Sequence, residues 1–134
     1  MRLRLDHLVF AVQDLAAATD AWEATFGLRA EPPLRPEGSH LEIAVLPVGN
    51  AFIEIVRPTS PDHRVARHIE RTGEGMFSIS MEVDDLEATV DELRAKGVDV
   101  SAVALGVLPN SRVARIPRVS AHGVAVQLIE RSAP

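Results

Sequence analysis

At 134 residues the chain has room for one ordinary domain with its own core, so neither a disulfide nor a structural metal is needed to fold it. It contains no cysteine, which excludes a disulfide scaffold, thiolate zinc and a cysteine nucleophile. A formal net charge of −5 argues against a nucleic-acid surface, and no apolar run approaches membrane-spanning length. No charged-then-apolar leader pattern opens the sequence, and a cytoplasmic protein is expected.

The apolar pattern predicts a first strand over 3–12. Asp14 is placed to cap a helix whose apolar positions Leu15, Ala18, Trp22 and Phe26 fall at helical spacing, with Gly27 as its left-handed stop. Segment 28–34 is broken by Pro32-Pro33 and reads as an edge strand or a loop. Strands over 41–48 and 51–56 follow, joined by the turn dipeptide Gly49-Asn50. Beyond Arg57-Pro58-Thr59-Ser60-Pro61, a short helix over 62–71 has Val65 and Ile69 on its buried side, and Gly73 closes it. A strand then runs to Val83, followed by a helix capped at Asp84 or Asp85 with Leu86, Val90 and Leu93 inward. After a stop at Gly97 the pattern gives a short strand over 98–103 and two more over 111–116 and 124–129, with 120–123 as the turn between these last two.

This order repeats because the sequence does. The stretch from Leu5 to Leu15 returns seventy-one residues later from Met76 to Leu86, with Val12/Val83, Asp14/Asp85 and Leu15/Leu86 in register and His7 opposite Ser78. The run Ile53-Glu54-Ile55-Val56 corresponds to Val126-Gln127-Leu128-Ile129, which sets Glu54 opposite Gln127. The expectation is a single α+β domain over 1–134, made of two tandem βαβββ modules, 1–57 and 74–134, with a linker helix at 58–73. Together they would form one curved mixed sheet around a concave cleft.

A paired module of this kind, with a histidine early in its first strand and an acidic residue in its last, resembles the vicinal oxygen chelate superfamily of glyoxalases, ring-cleaving dioxygenases, epimerases and antibiotic-resistance proteins. The segments Ile53 to Pro61, Gly73-Glu74-Gly75, Glu82 to Leu86, Leu93 to Val98 and His122-Gly123-Val124 are similar to its methylmalonyl-CoA epimerase branch, and the likeness spans essentially the whole chain. In that family a divalent metal is held by one residue from the first and one from the last strand of each module. Those positions are His7, Glu54, Ser78 and Gln127 here, so the resemblance implies a site for cobalt, nickel, manganese or zinc. Ser78 stands where a histidine is expected and Gln127 where glutamate is usual, and neutral donors weaken such a site. The resemblance also implies two catalytic bases, which fall on Glu42 and Gln127. Replacing the second carboxylate by an amide removes a proton acceptor, so one-sided proton transfer suits the chain better than a two-base epimerisation.

The function expected is metal-assisted proton transfer next to a carbonyl or thioester of a small organic substrate, including an acyl-CoA, by an isomerase or lyase distinct from true methylmalonyl-CoA epimerase. The alternative is a metal-free protein that sequesters a small molecule in the same cleft, or a metal-free biosynthetic isomerase or cyclase. A homodimer is expected by analogy, with neither nucleic acid nor membrane as partner. Plainer readings stand beside these. A histidine in an apolar strand is most often a hydrogen-bonded core residue, and Glu54 between two isoleucines is equally consistent with an exposed sheet face. His63 and His68 lie five apart on the linker helix and share no metal-binding face. His40 begins a strand without a visible partner, His122 sits in a turn, and Trp22 reads as packing. Arg57, Arg64, Arg67 and Arg71 form one basic group and Arg112, Arg115 and Arg118 another, either a solvated face or a contact for phosphate or carboxylate.

Overall fold

In a computed structural model, residues 1–132 are described, and the chain divides into two compact units: His7–Phe77, and Met1–Asp6 together with the chain from Ser78 onward. The strands are β1 (Arg4–Ala11), β2 (Leu41–Val48), β3 (Ala51–Pro58), β4 (Gly75–Glu82), β5 (Ala104–Leu105), β6 (Ser111–Ile116) and β7 (Val126–Arg131). The helices are α1 (Leu15–Phe26), α2 (Arg64–Thr72) and α3 (Leu86–Ala95).

In the first unit the strands lie in the order β2-β3-β1. β1 runs parallel to β3, with His7 opposite Phe52 and Val9 opposite Glu54, and β2 runs antiparallel to β3, with Val45 opposite Glu54 and Glu42 opposite Arg57. The parallel pairing needs a crossover, and α1 is its helical part. Its start is set by Asp14, whose Oδ1 accepts the Ala17 N–H at 3.0 Å, and its end by Gly27 at φ +68°, where an L side chain is disfavoured. Leu15, Ala18 and Trp22 pack on Val12, Ala44, Leu46 and Ile55, and the Trp22 ring lies 5.2 Å from Phe10 and 5.1 Å from Phe26, so it serves packing as expected. The opposite face, with Val9, Ala11, Ile43 and Val56, is partly covered by Val65 and Ile69 of α2 and by Phe77.

α2 starts two residues later than the sequence suggests, because Nδ1 of His63 accepts the Val65 N–H and caps the helix there. His68 is buried, with Nε2 3.2 Å from both the Met76 carbonyl oxygen and Thr72 Oγ1, and its ring stands edge-on to Phe77 at 5.0 Å. It is a hydrogen-bonded packing residue of this unit.

In the second unit the order is β4-β7-β6-β5. β4 is parallel to β7, with Ser80 opposite Gln127, and β6 is antiparallel to β7, with Arg115 opposite Gln127. Asp85 caps α3 through the Ala88 N–H at 3.0 Å, and Leu86 and Val90 pack on Val83, Val100, Ala114 and Leu128.

The fold is α+β with mixed pairing in two repeats. In each repeat the first strand after the helix is reduced. Segment 28–34 contributes only a single bridge, Leu34 to Ile43, and 98–103 is irregular, with Ser101 exchanging hydrogen bonds with Arg115 before β5 forms over two residues. Two consecutive prolines account for the first loss. β7 is shifted two residues toward the C-terminus of its expected span, and the turn before it contains a 3₁₀ segment, Arg118–Ala121, closed by His122 in the left-handed region. Among the described residues no helix is long and apolar enough to cross a membrane.

Two stability changes are expected. Leu86 is fully buried, and Leu86→Ala should cost about 2–5 kcal/mol in urea unfolding. Arg112 pairs with Glu87 of α3 and, at 2.7 Å, with Glu130 of β7, and the guanidinium holds the Glu87 carboxyl below its ordinary range. A carboxyl lowered on folding stabilises the fold above its unfolded value, about 4.3, and that support fades as pH falls through the lowered folded value. Arg112→Ala should therefore move the acid-unfolding midpoint, followed by circular dichroism, to higher pH, by an amount that shrinks in high salt.

Candidate functional site

Side chains on a strand alternate between its two faces, so register decides which residues meet. On β3, Phe52 and Glu54 share the face turned away from α1. Across the parallel ladder, His7 stacks on Phe52 with ring centroids 4.4 Å apart and planes 15° from parallel. This holds the imidazole with Nε2 3.3 Å from Glu54 Oε2, one diagonal step along the ladder. Both residues are buried, His7 at 2 % and Glu54 at 7 % relative exposure. Val9 and Val45 flank the carboxylate on either side across the strands. A carboxylate this buried requires polar company, and the imidazole provides part of it.

The corresponding row of the second unit has a different character. Gln127 lies between Ser80 on β4 and Arg115 on β6, and its Nε2 donates to Ser80 Oγ at 2.9 Å. Ser80 is fully buried. The amide therefore engages Ser80 rather than Ser78, the residue two positions earlier that corresponds to His7 in the repeat. Where the first row carries a carboxylate between two valines, the second carries an amide between a hydroxyl and a guanidinium.

Glu42 is not brought to the face of His7 and Glu54. It stands three residues from Val45, hence on the other side of β2, and both carboxylate oxygens are engaged, one by Arg57 at 2.6 Å and the other by Arg35 at 3.1 Å. Arg57 in turn donates from Nε to the Gln13 carbonyl oxygen at 3.2 Å. A carboxylate held by two guanidinium groups is placed for structure more than for taking a proton from a substrate.

Two ligand atoms at about 2.0–2.2 Å from one divalent ion stand roughly 3–3.4 Å apart in octahedral or tetrahedral geometry. The 3.3 Å between His7 Nε2 and Glu54 Oε2 fits that separation, so these two residues suit a shared cation. Asp85, Glu87 and Glu130 also lie close together, but Glu87 and Glu130 bind Arg112, and Asp85 and Glu130 accept backbone N–H groups of α3, at Ala88 and Leu86. That trio is a helix cap with a guanidinium clasp.

The family model described as glyoxalase/bleomycin resistance protein/dioxygenase superfamily matches residues 6–114. The chain belongs to this superfamily. Among curated proteins it is 28% identical over 124 residues to the ethylmalonyl-CoA/methylmalonyl-CoA epimerase of Cereibacter sphaeroides, covering 92% of this chain and 84% of that one. Among solved structures it superimposes on the methylmalonyl-CoA epimerase of Mycobacterium tuberculosis with a TM-score of 0.89 at 27% identity, covering 96% of this chain and 88% of that one. A variant of the Streptomyces coelicolor methylmalonyl-CoA epimerase, in complex with 2-nitronate-propionyl-CoA, gives a TM-score of 0.89 at 27% identity, with coverage of 97% and 95%.

The His7–Glu54 contact can be weighed by a double-mutant cycle with His7→Ala and Glu54→Gln. A coupling of about 1–3 kcal/mol in chemical denaturation is expected, and a value near zero would mean that the two side chains are neighbours without mutual support.

Proposed function

We propose that the protein is a glyoxalase-like enzyme that moves a proton at the carbon beside a carbonyl or thioester of a small organic substrate, acyl-CoA derivatives included. The buried His7–Glu54 contact carries this reading, since a paired imidazole and carboxylate in an apolar setting is costly to maintain for packing alone. The names of the relatives, epimerases of CoA thioesters, support the class of substrate.

In this reading His7 and Glu54 hold a divalent cation such as cobalt, nickel, manganese or zinc. The cation would supply polarisation of the substrate carbonyl and stabilisation of the charge that develops there as the proton leaves. Phe52 fixes the plane of the imidazole, and Val9 and Val45 keep water from the Glu54 carboxylate. Epimerisation needs a proton acceptor on each side of the carbon. With an amide at Gln127 and Glu42 turned away, the proton passes to solvent water on one side of the carbon only, which separates this chain from the named reaction of its relatives. A cytoplasmic homodimer is part of the proposal.

A second reading, a metal-free binding protein or metal-free isomerase, is favoured by one observation: the Gln127 amide is already committed to Ser80. Elemental mass spectrometry on protein challenged with each of the four metals separates the two. Near-stoichiometric metal, lost on His7→Ala or Glu54→Ala, is expected, together with solvent-deuterium incorporation into an acyl thioester that falls by at least about 10²-fold in Glu54→Ala. If no metal binds at micromolar concentration, the metal-assisted reading fails.

A further inference from the structure

The second unit ends in a strand edge unlike that of the first. An edge strand presents unpaired N–H and C=O groups, and folded proteins guard it with charge, proline or a covering segment. β2, the outer strand of the first unit, has all three. Glu42 and Pro47 lie on it, the Glu31 N–H donates to the Val45 carbonyl oxygen at 2.8 Å, and Leu34 and Ile43 exchange two backbone bonds of 2.8 Å. β5, the outer strand of the second unit, has neither charge nor proline, and from Val100 to Ser111 the sequence carries no charged side chain.

Ladder geometry decides what this edge offers. β5 is antiparallel to β6, with Ala104 opposite Val113 and Leu105 opposite Arg112, and the Gly106 N–H donates to the Ser111 carbonyl oxygen at 2.9 Å. Inward and outward backbone groups alternate along such a strand, so the N–H and C=O of Leu105, next to Gly106, point away from β6. The Leu105 side chain is 86 % exposed and Val107 43 %. Beside them an open cleft of about 470 Å³ is lined by Leu105, Val107, Leu108 and Pro109. Polar groups around it are engaged locally: Ser111 Oγ donates to the Leu108 carbonyl oxygen at 2.7 Å, the Ser132 N–H to the Asn110 carbonyl oxygen at 2.9 Å, and Glu87 and Glu130 clasp Arg112. An unguarded edge thus lies next to an apolar cleft.

We propose that two copies of this chain pair through the β5 edge, antiparallel and about a twofold axis at Leu105. Such pairing is self-complementary: each Leu105 donates its N–H to the C=O of the other, and Val103 of one copy comes opposite Val107 of the second. A chain of net charge −5 repels its own copy, least so across an uncharged segment. Leu105, Val107 and Leu108 then lose their contact with water against the same residues of the second copy. This gives a surface to the homodimer of the proposed function and rests on that part of it alone.

The cysteine-free sequence makes the test direct. Paired about Leu105, the two Cα atoms stand about 5.5 Å apart, within disulfide reach. Leu105→Cys should therefore cross-link to a dimer on mild oxidation, whereas Val119→Cys, equally exposed at 86 %, should not, as read on a non-reducing gel. In sedimentation equilibrium the wild type should be a dimer, and Leu105→Lys, which puts a charge on the edge, should self-associate at least about a hundredfold more weakly with an unchanged circular dichroism spectrum. A dimer whose affinity survives Leu105→Lys, or cross-linking of Leu105→Cys no faster than that of Val119→Cys, would overturn the proposal while the homodimer stands. A monomeric wild type would overturn both and leave the edge to a strand of another protein. None of these outcomes bears on proton transfer at His7 and Glu54.

Discussion

Parallel pairing of the first and last strands of each repeat is the constraint on which the site depends. A parallel pair cannot be closed by a hairpin and needs a crossover, so the helix after the first strand is an obligatory part of the connection. That helix occupies one face of the strands, and the other carries His7 and Glu54 beside the apolar residues that α2 partly covers. In the first unit the register set this way, Val9 against Glu54, places the imidazole of His7 on Phe52 and within reach of the carboxylate. The contact follows from ladder geometry rather than from any loop.

The two repeats share that geometry and differ in what they mount on it. Corresponding positions hold Glu54 and Gln127, Val9 and Ser80, Val45 and Arg115, each triplet lying across its strands in the same relation. Three side chains distinguish a row holding a carboxylate between two valines from one holding an amide between a serine and an arginine, with the same strand pairing beneath both.

Much of the fold was legible in the sequence because its signals were local. Asp14 and Asp85 cap helices where expected, Gly27 ends the first, Gly49-Asn50 makes the turn between β2 and β3, and β6 spans 111–116 as predicted. The misses required information from farther away. The helix expected from 62 begins at Arg64, because the His63 ring nitrogen accepts the Val65 N–H and makes His63 the cap. The strand expected over 98–103 lost its regular pairing, and Ser101 alone meets Arg115. The environment of Glu42 was readable in principle: with two residues in the turn, Val45 falls opposite Glu54, and an odd count from 45 to 42 puts Glu42 on the far side. Ser80 gave no such signal, since its contact with Gln127 exists only once strands distant in sequence are in register, and Arg115 stood out only as one of the basic group with Arg112 and Arg118.

The two-residue turn at Gly49-Asn50 acts as a length gauge. Gly49 takes φ +56°, the conformation such tight turns demand, and the ladder closes from Val48 against Ala51 outward. Because side chains alternate with a period of two, slipping β2 by one residue exchanges its faces. Ile43 and Val45 would then turn toward α1, while Glu42 and Ala44 would face the His7 side. The length of that turn, more than the identity of any nearby side chain, decides whether the environment of the buried imidazole contains one carboxylate or two.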